Sequence, residues 1–208
     1  MLTAFYSDKS VFMKKLIVIV FVLIAFSSCD VLQQAQQMAT LAKCDFRLKT
    51  VDNTSLAGVN IQRIQHLSDV NLMDAARIST AYAGKSFPLT FTLNVEARNP
   101  NSGTASMQRL DWILYIDNIE MANGTNTQPI SIPGNQGTAI IPLQISTDLK
   151  KSLAGKSGDA ILNFGFNLAG AGNTPSRITL KAKPTISISG IQVSYPGYIS
   201  VSKEFSSN

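Results

Sequence analysis

The sequence predicts an all-β fold, an antiparallel β-sandwich with Greek-key connections and one or two short helices. Three observations carry this expectation. Apolar and polar residues alternate over six consecutive pairs from Phe87 to Arg98, the pattern of a strand with one buried face. Shorter alternations recur at regular spacing with turn residues between them, about seven strands in all. No strand–helix alternation long enough for a parallel sheet interrupts them.

The elements follow in order. Cys44, Phe46 and Leu48 alternate with Asp45, Arg47 and Lys49 and open the first strand; Val59 and Ile61 suggest a second. Val70, Leu72, Met73, Ala76 and Ile78 break the two-residue period and predict a helix over Ser68–Tyr82, capped by Ser68 and stopped at Gly84. In the clearest strand, Phe87, Leu89, Phe91, Leu93, Val95 and Ala97 share one face. Asn99-Pro100-Asn101-Ser102-Gly103 then predicts a turn. Leu110, Trp112, Leu114 and Ile116 form the next strand, and Ile119–Met121 leads into a second expected turn at Asn123-Gly124. Ala139, Ile141, Leu143 and Ile145 alternate, and Thr147–Leu153 reads as one or two helical turns ended by Gly155. Leu162, Phe164, Phe166 and Leu168 alternate before a glycine-rich turn at 170–172. Ile178, Leu180, Ala182, Ile186 and Ile188 make the last long strand, which Pro184 is expected to limit. Tyr198–Phe205 is expected to add a short edge strand.

The N-terminus has a different character. Met13–Cys29 reads MKKLIVIVFVLIAFSSC. Two lysines precede an unbroken apolar run, Leu16–Phe26, which is too short to span a bilayer, since a spanning helix needs about 20 residues. It suits the hydrophobic region of an export signal. Ser27 and Ser28 then lead to Cys29. The segment resembles the signal of bacterial lipoproteins, with Phe26 where a leucine is usual. That resemblance implies cleavage before Cys29 and lipidation of its thiol. Residues 1–28 are thus expected to be a signal peptide with its true start at Met13, 29–43 a helical tether, and 44–208 the folded domain. The implied location is the bacterial cell envelope, lipid-anchored, on the outer membrane facing the periplasm. Removing the signal takes away three lysines and one aspartate, lowering the formal net charge of +5 by two. The remaining basic residues are scattered, which argues against a nucleic-acid partner. Cys44 becomes the last thiol, so no disulfide framework is expected.

At FPLTFTLNVEARNPN, followed by RLDWILYIDNIEMANG, the sequence resembles the late embryogenesis abundant type 2 family, also called the water-stress and hypersensitive-response domain. Asn99, Pro100, Asn101 and Gly124 carry the resemblance, which extends over Cys44–Ser189. It implies a β-sandwich of the immunoglobulin or fibronectin type III kind, a stress-protective or binding role, and no catalytic residues to carry over.

The residues themselves argue against catalysis. His66 is the only histidine, so neither a histidine-activated nucleophile nor a multi-histidine metal site can be built. Cys44 falls on an apolar face and reads as a small buried hydrophobe. Trp112 reads as core. Asp111 and Asp117 are expected on the outward face of their strand, and Asp69 and Asp74 at the helix start. The segment 170–172 lacks the lysine and setting of a phosphate loop. No metal or other cofactor is expected. The expected partners are the membrane, through Cys29, and a lipid or a protein. The functional alternatives are a lipid held between the sheets, which requires a cavity, and an adhesive module pairing through the Tyr198–Phe205 edge.

Overall fold

The computed structural model describes residues 36, 38–62, 64, 69–155, 164, 176–188 and 190–205. Helical residues 38–42 (α1) lead into β1 (Asp45–Leu56), β2 (Val59–Asn60), α2 (Leu72–Ala83), β3 (Pro88–Asn99), β4 (Ala105–Met107), β5 (Arg109–Ile116) and β6 (Ile119–Asn126). Then follow β7 (Ile130–Ile132), β8 (Gly137–Asp148), α3 (Leu149–Ser152), β9 (Ser176–Ile188), β10 (Ile191–Ser194) and β11 (Ile199–Phe205). One sheet has the order β2-β1-β3-β8. The other has the order β10-β9-β5-β6, with β11 also on β9, and β4-β7 forms a two-stranded ribbon. Every ladder among the described residues is antiparallel. The fold is an all-β sandwich.

The long alternation forms β3, the strand between β1 and β8. Phe87, Leu89, Phe91, Leu93, Val95 and Ala97 are all buried. Burying a large apolar side chain stabilises by about 1.5–3 kcal/mol, so this face anchors its sheet. It packs with Leu110, Leu114, Ile116, Leu180 and Ile186 of the opposite sheet in one core. Two residues of its other face, Thr92 and Glu96, are buried as well, because a central strand is flanked on both sides.

Several sequence expectations are corrected. Asn123-Gly124 is not a turn; it lies inside β6, where Gly124 pairs with Trp112. A Cβ on Gly124 would stand 2.5 Å from a Trp112 ring carbon. The glycine is therefore there to admit the indole, a cross-strand use of glycine rather than a turn use. The turn is Asp117-Asn118, with φ of 49° and 64°, the left-handed pair that a two-residue hairpin requires. Asp117 is consequently in that turn, not on a strand face, and its carboxylate accepts from the Arg177 N–H at 2.9 Å. The helix begins at Leu72, not near Ser68. Its N-cap is Asn71, whose side-chain oxygen accepts from the Asp74 N–H at 2.9 Å. Leu72 and Met73 are 87% and 71% exposed, and only Ile78 of this helix is buried.

Pro184 does not limit β9, which runs unbroken through it. Its carbonyl accepts from the Tyr195 N–H at 2.8 Å, so the missing N–H points the same way, toward β10 and β11. It falls at the seam where β10 has ended at Ser194 and β11 has not begun, and no ladder bond is lost. The expected C-terminal edge strand is β11, paired with β9 over its whole length. Of the alternation at 162–168 only Phe164 is described; it is buried and helical, not extended. Cys29, His66, Ser68, the signal segment, most of the tether and the glycines at 170–172 lie outside the described residues.

The strands define two ends. β1 leaves one end at Asp45 and reaches the other at Leu56; β3 returns to Asn99, opposite Gly137 of β8. The first end gathers α1, the Asn99–Gly103 turn and the β7–β8 turn. The second gathers α2, the Asp117-Asn118 turn and α3.

Candidate functional site

The motif Asn99-Pro100-Asn101 closes β3 at the first end. Proline keeps Asn99 extended, which directs its side chain into the end of the core. Asn99 is fully buried. Its amide nitrogen donates to the carbonyls of Gly103 at 2.9 Å and Ile132 at 3.0 Å. Its side-chain oxygen accepts from the Asn101 N–H at 3.0 Å and the Asn101 side-chain amide at 2.8 Å. A carboxamide has two donor hydrogens and two acceptor lone pairs, and all four are used. The opposing turn, Pro133–Gln136, is drawn in by backbone bonds: Asn135 N–H to Asn101 O at 2.7 Å and Gln136 N–H to Asn99 O at 2.9 Å. Gly134 sits so close that a Cβ there would lie 2.2 Å from the Ser102 carbonyl oxygen. Asn101 also donates to the Thr40 carbonyl at 3.0 Å, which fastens the end of α1 to this knot. Leu41 beside it is fully buried.

The outer face of the β1-β3 sheet carries a charge cluster. Glu96 accepts from the Arg47 side chain at Nε, 2.6 Å, and pairs with the Lys49 ammonium at 2.8 Å. The Lys49 bond, against the opposing effect of burial and helped by Arg47, holds the Glu96 carboxyl below the usual glutamate range. Asp45 and Arg98 pair at 2.7 Å. On the other sheet, Asp111 is half-buried rather than fully outward and is bound by Arg109 at 2.8 Å and Thr125 at 2.6 Å. Its bond from Arg109 is the main reason its carboxyl lies below the usual range. These carboxylates are committed to partners on their own or the neighbouring strand. Burial pushes the Cys44 thiol up, and the Asp45 charge adds to it, so little of it is thiolate.

Trp112 is buried on the inner face. Asp74, in the first turn of α2, holds the Asn71 cap in place by accepting from its side-chain amide at 2.7 Å, and Asp69 precedes that helix. Among the described residues no three of His, Cys, Asp and Glu come together in a cluster able to hold a metal ion, and no helix is long and apolar enough to cross a membrane. Between the sheets, Phe46, Val95, Leu110, Ile141, Leu180 and Val201 surround an apolar void of about 20 Å³. That volume admits a water-sized probe, whereas ligand pockets run to several hundred Å³. A wider groove of about 430 Å³ lies open between β6 and β8, with Trp112 at its base and Thr125, Asn126, Gln128, Pro142 and Gln144 among its walls.

The profile of the late embryogenesis abundant protein family matches residues 94–196. This stretch of the chain belongs to that family. The match takes in Asn99, Pro100, Asn101 and Gly124, the four residues that carried the resemblance. Among solved structures, a protein from Archaeoglobus fulgidus shares 12% identity over 77% of this chain and 98% of its own, with a TM-score of 0.36. A protein from Arabidopsis thaliana, solved in solution, shares 13% over 78% of this chain and 77% of its own, with a TM-score of 0.38. A structure described as that of a late embryogenesis abundant protein shares 16% over 95% of this chain and 86% of its own, with a TM-score of 0.36. No curated protein matches the chain.

Sequence reasoning missed the knot's second half. Pro133-Gly134-Asn135-Gln136 is rich in turn formers and was legible as a turn, but not as the partner of Asn99. The ribbon β4-β7 was likewise missed, since three-residue strands carry no period. The Glu96 cluster depends on the β1–β3 register, which no local pattern reveals.

Proposed function

We propose that the protein is a non-enzymatic, lipid-anchored stress-protective domain of the late embryogenesis abundant type, held at the bacterial cell envelope through Cys29 on the outer membrane, facing the periplasm. The observation that carries this reading is the fastening of α1 to the Asn99 knot through the Asn101–Thr40 bond. The segment that leads back to Cys29 is joined to the domain by a half-buried hydrogen bond beside the fully buried Leu41. Such a joint suits a domain that is carried on its N-terminus. The polar groups of the knot and the cross-strand carboxylates are spent on partners within the chain, which leaves them nothing to offer a reacting substrate. Several acyl chains on one cysteine would give stable attachment, because each buried CH₂ contributes about 0.8 kcal/mol.

Labelling cells with a fatty-acid analogue tests the anchor: the parent chain should incorporate the label and Cys29→Ser should not. Equal incorporation would sink the reading. For the protective role, cells lacking the protein should survive drying less well, and the lipidated chain should restore survival. Unchanged survival would remove the stress-protective part alone.

A further inference from the structure

Among the described residues the charges are placed unevenly between the two ends of the sandwich. No Asp, Glu, Lys or Arg occurs in Asn99–Gln108, in Met121–Thr147 or in Pro184–Ser202. These three runs are far apart in sequence, yet the ladders bring their loops to one end. Asn99 pairs with Gly137, β4 pairs with β7, and β9 and β10 meet at the Ile188–Ile191 pair. It is the same end at which α1 joins through Asn101. The charges nearest to it are Asp45 and Arg98, which pair with each other, Arg109 and Asp111, which do the same, Lys183 opposite Asp111 on β9, and Lys43, exposed at the end of α1. Ile191, beside Gly190 at the outermost pair of that ladder, is 57% exposed. Tyr198, 51% exposed, lies further back along the sheet, beside Asp111 and Trp112. The opposite end is charged, with Asp74, Arg77, Lys85, Asp117, Lys150, Lys151 and Arg177.

We propose that the uncharged end is a membrane-contact surface and that its partner is the lipid headgroup layer on which the protein is anchored. The proposal rests on the lipid anchor at Cys29. From Cys29 to Ala39 the chain spans at most about 35 Å when fully extended, while the twelve-residue β3 alone runs about 40 Å. A leash shorter than the domain keeps this end the nearer one. Charged groups pay heavily to leave water at a bilayer. Asn, Ser and Thr loops can instead hydrogen-bond to headgroups. A tyrosine with an apolar body and polar tip suits the interface, and an exposed isoleucine gains by leaving water. Lys43 adds a mild attraction to anionic lipid.

The test uses the full lipidated chain in vesicles of phosphatidylethanolamine and phosphatidylglycerol, with and without nitroxide-bearing lipid. A fluorophore is attached at Ile191→Cys, at Gln192→Cys as a second exposed site in β10, and at Lys151→Cys at the far end. The parent chain, whose Cys44 is buried, supplies the blank. The labels at 191 and 192 should lose fluorescence to the nitroxide, and the label at 151 should not. Co-sedimentation reads the anchor separately. If the chain sediments with vesicles but the two ends are quenched alike or not at all, the contact surface is overturned and the anchor stands. If it stays in the supernatant and Cys29→Ser behaves the same, the anchor falls and the proposal with it. Protection of residue 191 in cells without quenching in protein-free vesicles would identify a macromolecular partner in place of lipid, and would also overturn it.

Discussion

The two ends of the sandwich solve one problem with different chemistry. Each must close strand ends whose backbone groups have run out of ladder partners. At the α1 end the closing group is a neutral amide, Asn99, fully buried with every hydrogen-bonding position filled. At the other end it is a carboxylate, Asp148, which accepts from the Phe87 N–H at 3.0 Å and the Lys150 N–H at 3.1 Å. The amide can be buried deeply because it carries no charge to desolvate. The carboxylate stays half-buried and is charge-assisted. Burial by itself would raise the Asp148 pKa, but the bonds from Phe87, Ser86 and Lys150, with the Lys151 charge, outweigh it and hold it below the usual aspartate range. The closing group of one end is therefore indifferent to pH, and that of the other is not.

Breaking the amide should have the largest effect. Asn99→Ala strands the carbonyls of Gly103 and Ile132 and the N–H of Asn101, and each unsatisfied buried group costs about 1–3 kcal/mol. Urea unfolding should show a loss of about 3 kcal/mol or more. A loss near that of a surface substitution, within about 0.5 kcal/mol, would mean that the knot is not holding this end. Asn99→Asp sharpens the contrast, because it aims a carboxylate at two carbonyl oxygens. Its pKa should rise in the folded state, so this variant should regain stability as the pH falls.

Next in size is Gly134→Ala. The new methyl meets backbone of the Asn101-Ser102 turn, which cannot step aside as a side chain can. Overpacking of this kind typically costs about 1–3 kcal/mol, measurable as a lowered melting temperature. An unchanged melting temperature would show that the two turns are not locked together.

At the charged end, Asp148→Ala removes the cap of α3 and the Phe87 bond and should cost about 1 kcal/mol. Its pH dependence is the more telling measurement. A carboxyl whose folded pKa is depressed contributes stability above its unfolded pKa, about 3.9 for aspartate. That contribution is lost as pH falls through the lower folded value. Asp148→Asn should flatten the acid limb of the stability curve by that share. An acid limb identical to that of the parent would remove the distinction drawn between the ends.

The smallest effect belongs to Asn71→Ala, which removes the N-cap of α2. Loss of such a cap costs about 0.5–2 kcal/mol, and the low end applies here because Asn71 lies at the exposed start of the helix, while its ties to the core, Ile78, Ala81 and Tyr82, lie in its second half. Helicity should drop while the sheet signal stays. Collapse of both together would make α2 part of the core after all.

Much of this architecture was legible because it is local. The strand from Pro88 to Asn99, the fold class and the turn at Asn99–Gly103 follow from a two-residue period and from residues that favour one backbone shape. The errors fell where a residue's meaning depends on a distant neighbour. Asn123-Gly124 has the composition of a hairpin turn, but the register brings Gly124 against Trp112, and steric room for the indole outranks turn propensity. Pro184 looks like a strand breaker, yet it falls at the seam between β10 and β11, where its carbonyl is bonded and no ladder bond calls for its missing N–H. Ser68 is a good cap by type, but Asn71 is the residue set one turn closer to the helix.

By itself the chain determined that alternating segments would become strands with one buried face, because side chains on a pleated backbone can do nothing else. It also determined which segments carry no charge. Only the tertiary structure decided that the uncharged segments share an end, that Asn99 finds four partners there, and that α1 is fastened to it. Those outcomes depend on which strands pair and in what register, and that is settled by the packing of the whole core rather than by any one segment.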